Sequence, residues 1–388
     1  MIRVLMVSDV YFPRVNGVST AIQTYRSGLA AHGIQVYLIA PRYGGEDDQS
    51  DILRLPGWKV PGTPEDRIVS PLAMRRAALK AAAEADLIHI QTPFAAHSAG
   101  IAAARRYRLP VIATYHTLFE EYFQLYAKWL PAAPLRAFVR AFARYPCNQL
   151  TTTIVPSQAM QQRLRGYAIR APLRVLPTGV PLGQFAIVDR PAQRARFRTR
   201  YGIPFDQPVA LFVGRVAHEK NIGLLIEALA VARRTCPDLL LLVAGEGPAL
   251  ADLRRQAERL GQSAHVRFLG YFDRERELPD CYAAADLFAF ASHTETQGLV
   301  LIEAMAAGLP LVALAEMGTR DLLVSRRGAL VPSANVADFA AALVQLASDP
   351  ALRERLGREA RELAQEWSND TLTARLAALY RELIANNR

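Results

Sequence analysis

Residues 209–232 read VALFVGRVAHEKNIGLLIEALAVA, and this stretch decides the fold. A five-residue apolar run is followed by a glycine with basic residues and then by apolar residues at helical spacing. This order predicts a buried strand that turns directly into a helix. Further short apolar runs, each followed by polar residues, occur at residues 239–244, 266–269, 287–291 and 311–313. Strands that alternate with helices in this way predict a parallel sheet covered by helices.

The N-terminal half carries the same alternation. Its predicted strands lie at residues 2–7, 35–40, 87–90 and 111–114, and its predicted helices lie at residues 18–32, 71–85 and 95–107. The alternation is interrupted by LPTGVPLGQ at residues 176–184, where two prolines and two glycines indicate a loop. We therefore predict two Rossmann-like α/β domains, residues 1–185 and 186–370, with a last helix at residues 371–388 that completes the first domain.

The amino-acid composition limits the classes of protein to which the chain can belong. The chain has 388 residues, of which 51% are hydrophobic and 21% charged, as expected for a globular protein of two domains. The longest apolar candidate, residues 300–315, is interrupted by Glu303, so we expect a cytoplasmic protein without a membrane span. Three scattered cysteines form no CxxC pair and have no nearby His at metal-ligand spacing, so we expect buried apolar residues in a reducing compartment. No DxD-like pair of metal ligands accompanies the motifs described below, so we expect no metal and no cofactor.

The net charge of +10 lies in the first half of the chain. Residues 1–185 contain 21 Lys and Arg against 11 Asp and Glu, whereas residues 186–388 contain 25 of each. Residues 122–188 contain no acidic residue at all. This distribution predicts that the N-terminal domain meets an anionic surface or substrate.

Two glutamates stand close together in the second half. Glu295 follows the predicted strand 287–291, and Glu303 lies within the apolar helical run LVLIEAMAAGL. A carboxylate in such a run is costly to bury without a hydrogen-bond partner. The partner is either a pair of ribose hydroxyls or a neighbouring Arg or backbone amide. The amides at residues 297–299 begin the helix and suit a diphosphate.

Three motifs carry a resemblance to a known family. GRVAHEKN at residues 214–221, AGEGP at 244–248 and ETQGLVLIEAMAAGLP at 295–310 resemble the donor-binding domain of the retaining glycosyltransferases of family four. The similarity extends over nearly the whole chain, which also resembles bacterial glycolipid glucosyl- and mannosyltransferases. It implies the GT-B fold, in which two Rossmann-like domains face each other across a cleft, and metal-independent transfer of a hexose with retention of configuration.

The resemblance also implies roles for individual residues. Arg215 and Lys220 match the cations on the donor diphosphate, Glu303 matches the carboxylate on the ribose, and Glu295 matches the one on the sugar hydroxyls. Backbone amides near the sugar are supplied by Thr296, Gln297, Gly298 and Leu299. The nucleotide-sugar, of the UDP-glucose or GDP-mannose type, is a substrate and not a cofactor. The turn at Gly245, Glu246 and Gly247 is either a ligand contact or only a tight turn.

In the first half of the chain, the resemblance to the family assigns roles to two residues. Gly17 ends a loop after the first strand, where the lack of a side chain allows backbone to approach a phosphate. His116 follows the strand 111–114, at a carboxyl end of the sheet where ligand sites accumulate. The resemblance assigns Gly17 to donor binding. It assigns His116 to a hydrogen bond with the transferred sugar.

A basic amphipathic helix is predicted around residues 135–144. Arg136, Arg140 and Arg144 recur every four residues opposite an apolar side, and Trp129 precedes them. Such a helix either lies in a lipid interface or covers its own core. The acid-free surroundings favour the interface, and with it a peripheral location on the inner face of the cytoplasmic membrane and a lipid or lipid-linked acceptor.

Other functions are consistent with parts of the pattern. A transferase with a soluble acceptor has the same donor site, and a sugar-nucleotide epimerase of the same fold needs no acceptor. Nucleic-acid binding is suggested only by the isoelectric point near 9.7. Because Glu295 and Glu303 repel phosphate and the basic residues do not alternate with aromatic ones, we expect no nucleic-acid partner.

Overall fold

The computed structural model describes residues 1–47, 49–60, 63–116, 140–141, 143–187, 189–274 and 276–387. These residues form two compact units: residues Met1–Gly179 with Asn369–Arg388, and residues Val180–Ser368. Each unit is built on one sheet and has its own hydrophobic core.

The first unit contains an eight-stranded sheet of order β4-β3-β2-β1-β5-β6-β7-β8. All its neighbouring strands are parallel except β3 and β4. Its strands are β1 Ile2–Val7, β2 Ile34–Arg42, β3 Ile52–Val60, β4 Thr63–Val69, β5 Leu87–Ile90, β6 Val111–Thr114, β7 Thr152–Val155 and β8 Leu173–Val175. The helices along this part of the chain are α1 Gly17–Leu29, α2 Pro71–Ala81, α3 Ala95–Tyr107 and α4 Gln158–Arg165.

The first sheet is buried on both faces. Val4 and Met6 of β1 belong to a core cluster that includes residues of α1, whereas Leu5 and Val7 belong to a second cluster with α2 and α3. Successive side chains of a strand point to opposite faces, so this division places helices on both sides of the sheet.

The second unit contains a parallel six-stranded sheet of order β11-β10-β9-β12-β13-β14. Its strands are β9 Val209–Val213, β10 Leu240–Ala244, β11 Val266–Gly270, β12 Leu287–Phe290, β13 Leu311–Ala313 and β14 Ala329–Leu330. Its helices are α5 Arg190–Arg200, α6 Ile222–Ala232, α7 Leu250–Arg259, α8 Leu278–Ala284, α9 Leu299–Ala306, α10 Thr319–Leu323, α11 Val336–Ser348 and α12 Pro350–Gln365.

Polar residues fix where several helices begin. Asn16 precedes α1 and accepts a hydrogen bond from the Ser19 amide at 2.8 Å. Ser70 caps α2 in the same way, and Pro71 occupies the first helical position, where a missing N–H costs nothing. Asp349 and Pro350 start α12 with the same pairing.

The predicted strands are confirmed in both units, and five further strands were not predicted. These are β3, β7, β8 and β14, together with the antiparallel partner β4 of β3. Strand β3 reads ILRLPGWKV and β4 reads TPEDRIV, so proline, glycine and charge conceal the alternation that identifies a strand. Strands β8 and β14 have only three and two residues, which is too short for a periodic pattern.

The division between the two units lies between Gly179 and Val180, which is earlier in the chain than the predicted division between residues 185 and 186. The Val180 amide donates to the Trp367 carbonyl at 3.1 Å, and the buried Phe185 ring lies against Tyr282 with ring centroids 5.8 Å apart. The chain therefore passes from the first unit into the second within the loop at residues 176–184. Leu176 belongs to the core of the first unit, whereas Val180 belongs to the core around β9.

The last helix, α13 Asn369–Asn386, belongs to the first unit. Leu376, Leu379 and Leu383 are buried in the cluster that contains Val4 and Met6. The hydroxyl of Tyr380 lies 2.6 Å from Nδ1 of His89 on β5, and the other ring nitrogen lies 2.7 Å from the Thr114 hydroxyl. Both nitrogens of a fully buried imidazole are thereby satisfied.

Replacing Tyr380 with Phe should lower the free energy of unfolding by about 1–3 kcal/mol, because it leaves a buried nitrogen of His89 without a partner. Urea denaturation followed by circular dichroism measures the change. Tyr145→Phe is the matched control, since the Tyr145 side chain is exposed and should lose almost no stability. Equal stability of the two variants would show that α13 does not depend on the bond to His89.

Candidate active site

Strand β9 ends in the basic loop that the sequence selects. All five residues of β9 are buried, and the chain then passes through Gly214 and Arg215 to a short 3-10 turn at His218–Lys220. Asn221 adopts a left-handed conformation with φ of 53°, and α6 begins at the next residue. Arg215 is half-exposed, and its Nη1 lies 3.8 Å from Glu219 Oε1. The loop therefore presents its cations at the carboxyl end of a central strand.

Lys220 and Glu295 form an ion pair. The Lys220 Nζ donates to Glu295 Oε1, and both side chains are largely buried. Glu295 follows β12, which is the neighbour of β9 in the sheet, so the two residues come from adjacent strand ends. The structure thus brings together two of the predicted site residues that are far apart in sequence.

The loop from Glu295 to Gly298 is held by backbone contacts. The Gly318 amide donates to the Glu295 carbonyl at 2.8 Å. A Cβ on Gly318 would lie only 2.0 Å from the Thr296 carbonyl oxygen, so a larger residue would displace this loop. Gln297 is buried, Gly298 has φ of 89°, and α9 begins at the next residue, Leu299. The amides predicted to bind a diphosphate therefore stand at a helix N-terminus.

Glu303 is fully buried on α9 and has two protein partners. Arg274 donates to Oε1, and the Tyr282 hydroxyl donates to Oε2 at 2.9 Å. Burial alone acts to lower the pKa of Arg274, but the charge of Glu303 and the hydrogen bond to it raise the pKa overall. The neighbouring arginine that the sequence left open as a partner of Glu303 is therefore present. The ribose role remains a prediction.

The turn after β10 is tightly packed against the β9 loop. A Cβ on Gly245 would lie 1.9 Å from the Gly214 carbonyl oxygen, and a Cβ on Gly247 would lie 2.3 Å from the Val216 carbonyl oxygen. The Val216 amide also donates to the Glu246 carbonyl at 2.9 Å. Close approach of two backbones explains both glycines without a ligand, which supports the tight-turn interpretation.

Gly17 is the first residue of α1 in the first unit. A Cβ built there meets no atom within 4 Å, and its φ is not positive. Intramolecular packing therefore does not require glycine at this position. This agrees with a role in admitting a ligand, which stays a prediction.

His116 lies just beyond the carboxyl end of β6. Its Nε2 lies 2.9 Å from Gln91 Oε1, and burial lowers the pKa of His116 to about 4. Burial and, to a smaller extent, the neighbouring His116 lower the pKa of His89 to about 3. Both imidazoles are therefore neutral at pH 7, so His116 can donate or accept a hydrogen bond but does not carry a charge to a substrate.

Two adjoining depressions are found in the first unit. The inner cavity has a volume of about 870 Å³ and reaches from His116 and Gln91 past Asp9, Ile68 and Leu150. The outer groove, of about 740 Å³, is lined by Arg75, Phe94, Arg105, Arg106 and Tyr145. The two share the walls formed by Phe94, His97 and Pro146, so they are continuous.

The predicted basic helix is only partly described. Trp129 and Arg136 lie outside the described residues, and residues 140–141 and 143–147 are helical. Arg140 and Arg144 are exposed, and the Arg140 guanidinium lies 5.9 Å from the Tyr167 ring centroid. Ala143 and Cys147 are buried, so this short stretch has one side in the core and one in solvent.

Grouped metal ligands and membrane-spanning helices are both absent from the described residues. No three His, Cys, Asp or Glu side chains there are grouped as a metal site requires, and the three cysteines are free. In the same part of the chain, no helix has both the length and the apolar content to cross a bilayer.

Sequence reasoning missed the residues that support the site. Arg274 and Tyr282 lie in a polar loop and a short helix with no recognisable motif, and only the need of Glu303 for a partner pointed to them. Asp9 was also missed. It accepts from the Thr92 hydroxyl at 2.6 Å and from the Ala96 amide at 3.2 Å, at the start of α3.

Family models match both halves of the chain. Residues 193–363 match "Glycosyl transferases group 1", and residues 15–184 match "Glycosyltransferase Family 4". A relative in Streptococcus pneumoniae, alpha-monoglucosyldiacylglycerol synthase, is 30% identical over 396 residues, which cover 99% of this chain and 87% of the relative. The chain belongs to the group 1 glycosyltransferases.

Another relative and a solved structure cover the chain equally well. A GDP-mannose-dependent alpha-(1-6)-phosphatidylinositol monomannoside mannosyltransferase of Mycolicibacterium smegmatis is 29% identical, with 97% of each chain covered. The sucrose-phosphate synthase of Thermosynechococcus elongatus has a TM-score of 0.78 at 24% identity, over the full length of both chains. These matches confirm the predicted GT-B fold of two Rossmann-like units.

Stability should fall as the pH is lowered from about 6.5 towards 4, because buried histidines take up protons only on unfolding. Burial lowers the pKa of His97 to about 4, so below 6.5 the unfolded chain binds the proton and the folded chain does not. His97→Leu should therefore make the loss of unfolding free energy shallower by about 1.4 kcal/mol per pH unit.

Urea denaturation at pH 7, 6 and 5 measures this slope. Ser98→Ala is the matched control, because Ser98 is the exposed neighbour of His97 on α3 and carries no titratable group, so its replacement should leave the slope unchanged. Identical slopes for His97→Leu and the wild type would contradict a neutral buried His97.

Proposed function

We propose that this glycosyltransferase moves a hexose from a nucleotide-diphosphate sugar, of the UDP-glucose or GDP-mannose type, to a hydroxyl of a membrane lipid or lipid-linked glycan, with retention of configuration. The observation that carries the proposal is the grouping of Arg215, Lys220, Glu295 and Glu303 after neighbouring strands of the second sheet. The names of the relatives, which act on diacylglycerol and phosphatidylinositol lipids, support the acceptor class.

Each donor residue has a distinct chemical task in the proposal. Arg215 and Lys220 bind the diphosphate, and Glu303 accepts hydrogen bonds from the ribose hydroxyls. Glu295 accepts from hydroxyls of the sugar ring, while its charge holds Lys220 in place. The amides from Thr296 to Leu299 face the diphosphate at the start of α9.

The proposed reaction is a displacement on one face of the sugar. The bond between the anomeric carbon and the diphosphate oxygen breaks, and the bond from that carbon to the acceptor oxygen forms on the same side. The acceptor proton passes to the departing diphosphate. Arg215 and Lys220 stabilise the charge that develops on this leaving group, so the proposal includes no metal. The neutral His116 forms a hydrogen bond with a sugar hydroxyl and orients the sugar.

The inner cavity supports an amphiphilic acceptor. Its wall includes His116 and the buried Gln91, whose Nε2 has no hydrogen-bond partner among the described residues. Its wall also includes the apolar side chains of Ile68, Val69 and Leu150, together with the charged Arg14, Asp66 and Arg67. A hydroxyl-bearing headgroup with an apolar remainder matches both parts, because buried polar groups require partners and apolar walls favour hydrocarbon.

The outer groove supports contact with an anionic membrane surface. Arg75, Arg105 and Arg106 are exposed, and none of them forms an ion pair with another described residue. Phe94 and Tyr145 beside them are 57% and 73% exposed. Arginines attract anionic headgroups and aromatic rings enter the interface, so this surface suits peripheral binding to a bilayer. It lies beside the exposed Arg144 of the predicted basic helix, and it adjoins the inner cavity through Phe94.

Glu303→Gln and Lys220→Ala should each lower turnover at least tenfold, because each removes a contact to the donor. Release of nucleoside diphosphate from UDP-glucose and from GDP-mannose, with diacylglycerol as acceptor, measures the rate. Glu362→Gln and Lys80→Ala are the matched controls, since both residues are exposed and distant in the chain from the donor motifs. Normal turnover by either folded donor-site variant would contradict the assignment.

Wild-type protein should co-sediment with phosphatidylglycerol liposomes at low salt and dissociate as salt screens the attraction. Reversal of Arg75, Arg105 and Arg106 to Glu should abolish this binding, whereas hydrolysis of the nucleotide-sugar in solution should persist, because that reaction needs only the donor site. Liposome pelleting and a hydrolysis assay on the same preparations measure both properties.

A matched triple reversal in the second unit, at Arg234, Arg254 and Arg259, changes the net charge equally and should leave liposome binding intact. Equal losses of liposome binding in the two triple variants would show that binding depends on the net charge and not on the outer groove. Wild-type protein that does not bind these liposomes and glycosylates a soluble sugar efficiently would instead support the soluble-acceptor alternative. Conversion of the donor without any acceptor would support an epimerase.

A further inference from the structure

Arg274 is the solvent-side partner of the buried carboxylate on α9. It lies in the loop between β11 and α8, and its guanidinium donates to Glu303 Oε1. The guanidinium carbon lies 5.7 Å from the centroid of the buried Phe185 ring, which supports it from another segment. No motif or family match above assigns a function to Arg274.

Burial determines from which side a ligand can reach Glu303. The carboxylate itself is 0% exposed, and Tyr282, which donates to Oε2, is fully buried. The Arg274 side chain is 29% exposed and is therefore the one of these two partners that solvent reaches. Ribose hydroxyls that bind Glu303 must approach from the side of Arg274.

The carboxylate has capacity for both kinds of partner. An ionised carboxylate offers about four acceptor positions, and Arg274 and Tyr282 fill two of them. A buried carboxylate without a counter-charge is strongly destabilised and takes up a proton, which converts one oxygen from an acceptor into a donor. The positive charge of Arg274 therefore preserves the acceptor positions that a ribose needs.

We infer that Arg274 is a positioning residue for the donor: it keeps Glu303 ionised and oriented, and it shifts within the loop to share Oε1 with a ribose hydroxyl. The inference rests on the proposed donor role of Glu303. It assigns the β11–α8 loop to nucleoside recognition, although Arg274 itself acts through the carboxylate.

Loss of Arg274 should produce a distinctive pH dependence. Among the described residues, Tyr282 and Tyr271 act on the charge of Arg274, and Cys281 acts on Tyr282. Burial raises the pKa of Tyr282 well above its usual value, so this tyrosine stays neutral below pH 9. In Arg274→Met the Glu303 carboxyl becomes the group that titrates, and its ionised form returns as the pH rises.

Isothermal titration of UDP and of GDP into purified protein, at pH 6.5, 7.5 and 9, tests the inference without an acceptor. Whichever nucleotide binds the wild type should bind Arg274→Met at least tenfold more weakly at pH 6.5 and recover most of that loss at pH 9. Arg274→Lys keeps the charge and should bind with an intermediate affinity and little pH dependence. With the matching nucleotide-sugar, KM should change more than kcat, because the lost interaction acts in binding.

Arg276→Met is the matched control, since Arg276 is exposed on the same loop and should bind like the wild type. Wild-type affinity of Arg274→Met at all three pH values, together with weak binding by Glu303→Gln, would overturn the inference and leave the donor site standing. Normal binding by Glu303→Gln would instead remove the ribose role itself. If Arg274→Met does not fold, Arg274→Lys and Tyr282→Phe decide the question. If the partners of Glu303 preserve its acceptor positions, both variants should bind the nucleotide more weakly than the wild type. Wild-type affinity in both variants would contradict the inference.

Discussion

In a parallel sheet that is buried on both faces, reactive side chains can lie only where the strands end. Strands β9, β10 and β12 are buried along their whole length, so their residues can only fill the core. Polar groups appear where such strands end, and because the strands are parallel, their carboxyl ends share one edge of the sheet. Lys220 and Glu295 meet there as an ion pair, although 75 positions separate them.

The same burial makes every interior polar group dependent on a partner. His89 bonds to Tyr380 and Thr114, and Glu303 bonds to Arg274 and Tyr282. Arg198 is fully buried and donates to the carbonyls of Ala284, Pro204, Phe205 and Gln207 and to the Asp286 carboxylate. These contacts join segments distant in sequence, so buried polar groups specify which loops lie together.

Local patterns explain why much of the fold, but less of the site, follows from the sequence. An apolar run such as VALFV identifies a strand by itself, and GRVAHEKN marks its carboxyl end. The need of Glu303 for a partner is also a local inference. The identity of that partner is not, because Arg274 lies 29 positions away in an irregular loop, where no periodicity fixes the direction of a side chain. The hairpin of β3 and β4 was missed for a related reason: it lies at one edge of the first sheet, with β4 as the edge strand, and strands there tolerate Pro, Gly and charge.

The last helix, α13, belongs to the first unit, and this determines the order in which the two units are completed during synthesis. The second unit is one continuous segment, and all of it leaves the ribosome before Asn369 does. The first sheet is made earlier, but Leu376, Leu379 and Tyr380 cover one of its faces only after that segment is complete. The half translated first is therefore finished last. Until then its exposed apolar face is the part of the nascent chain that a chaperone would have to protect.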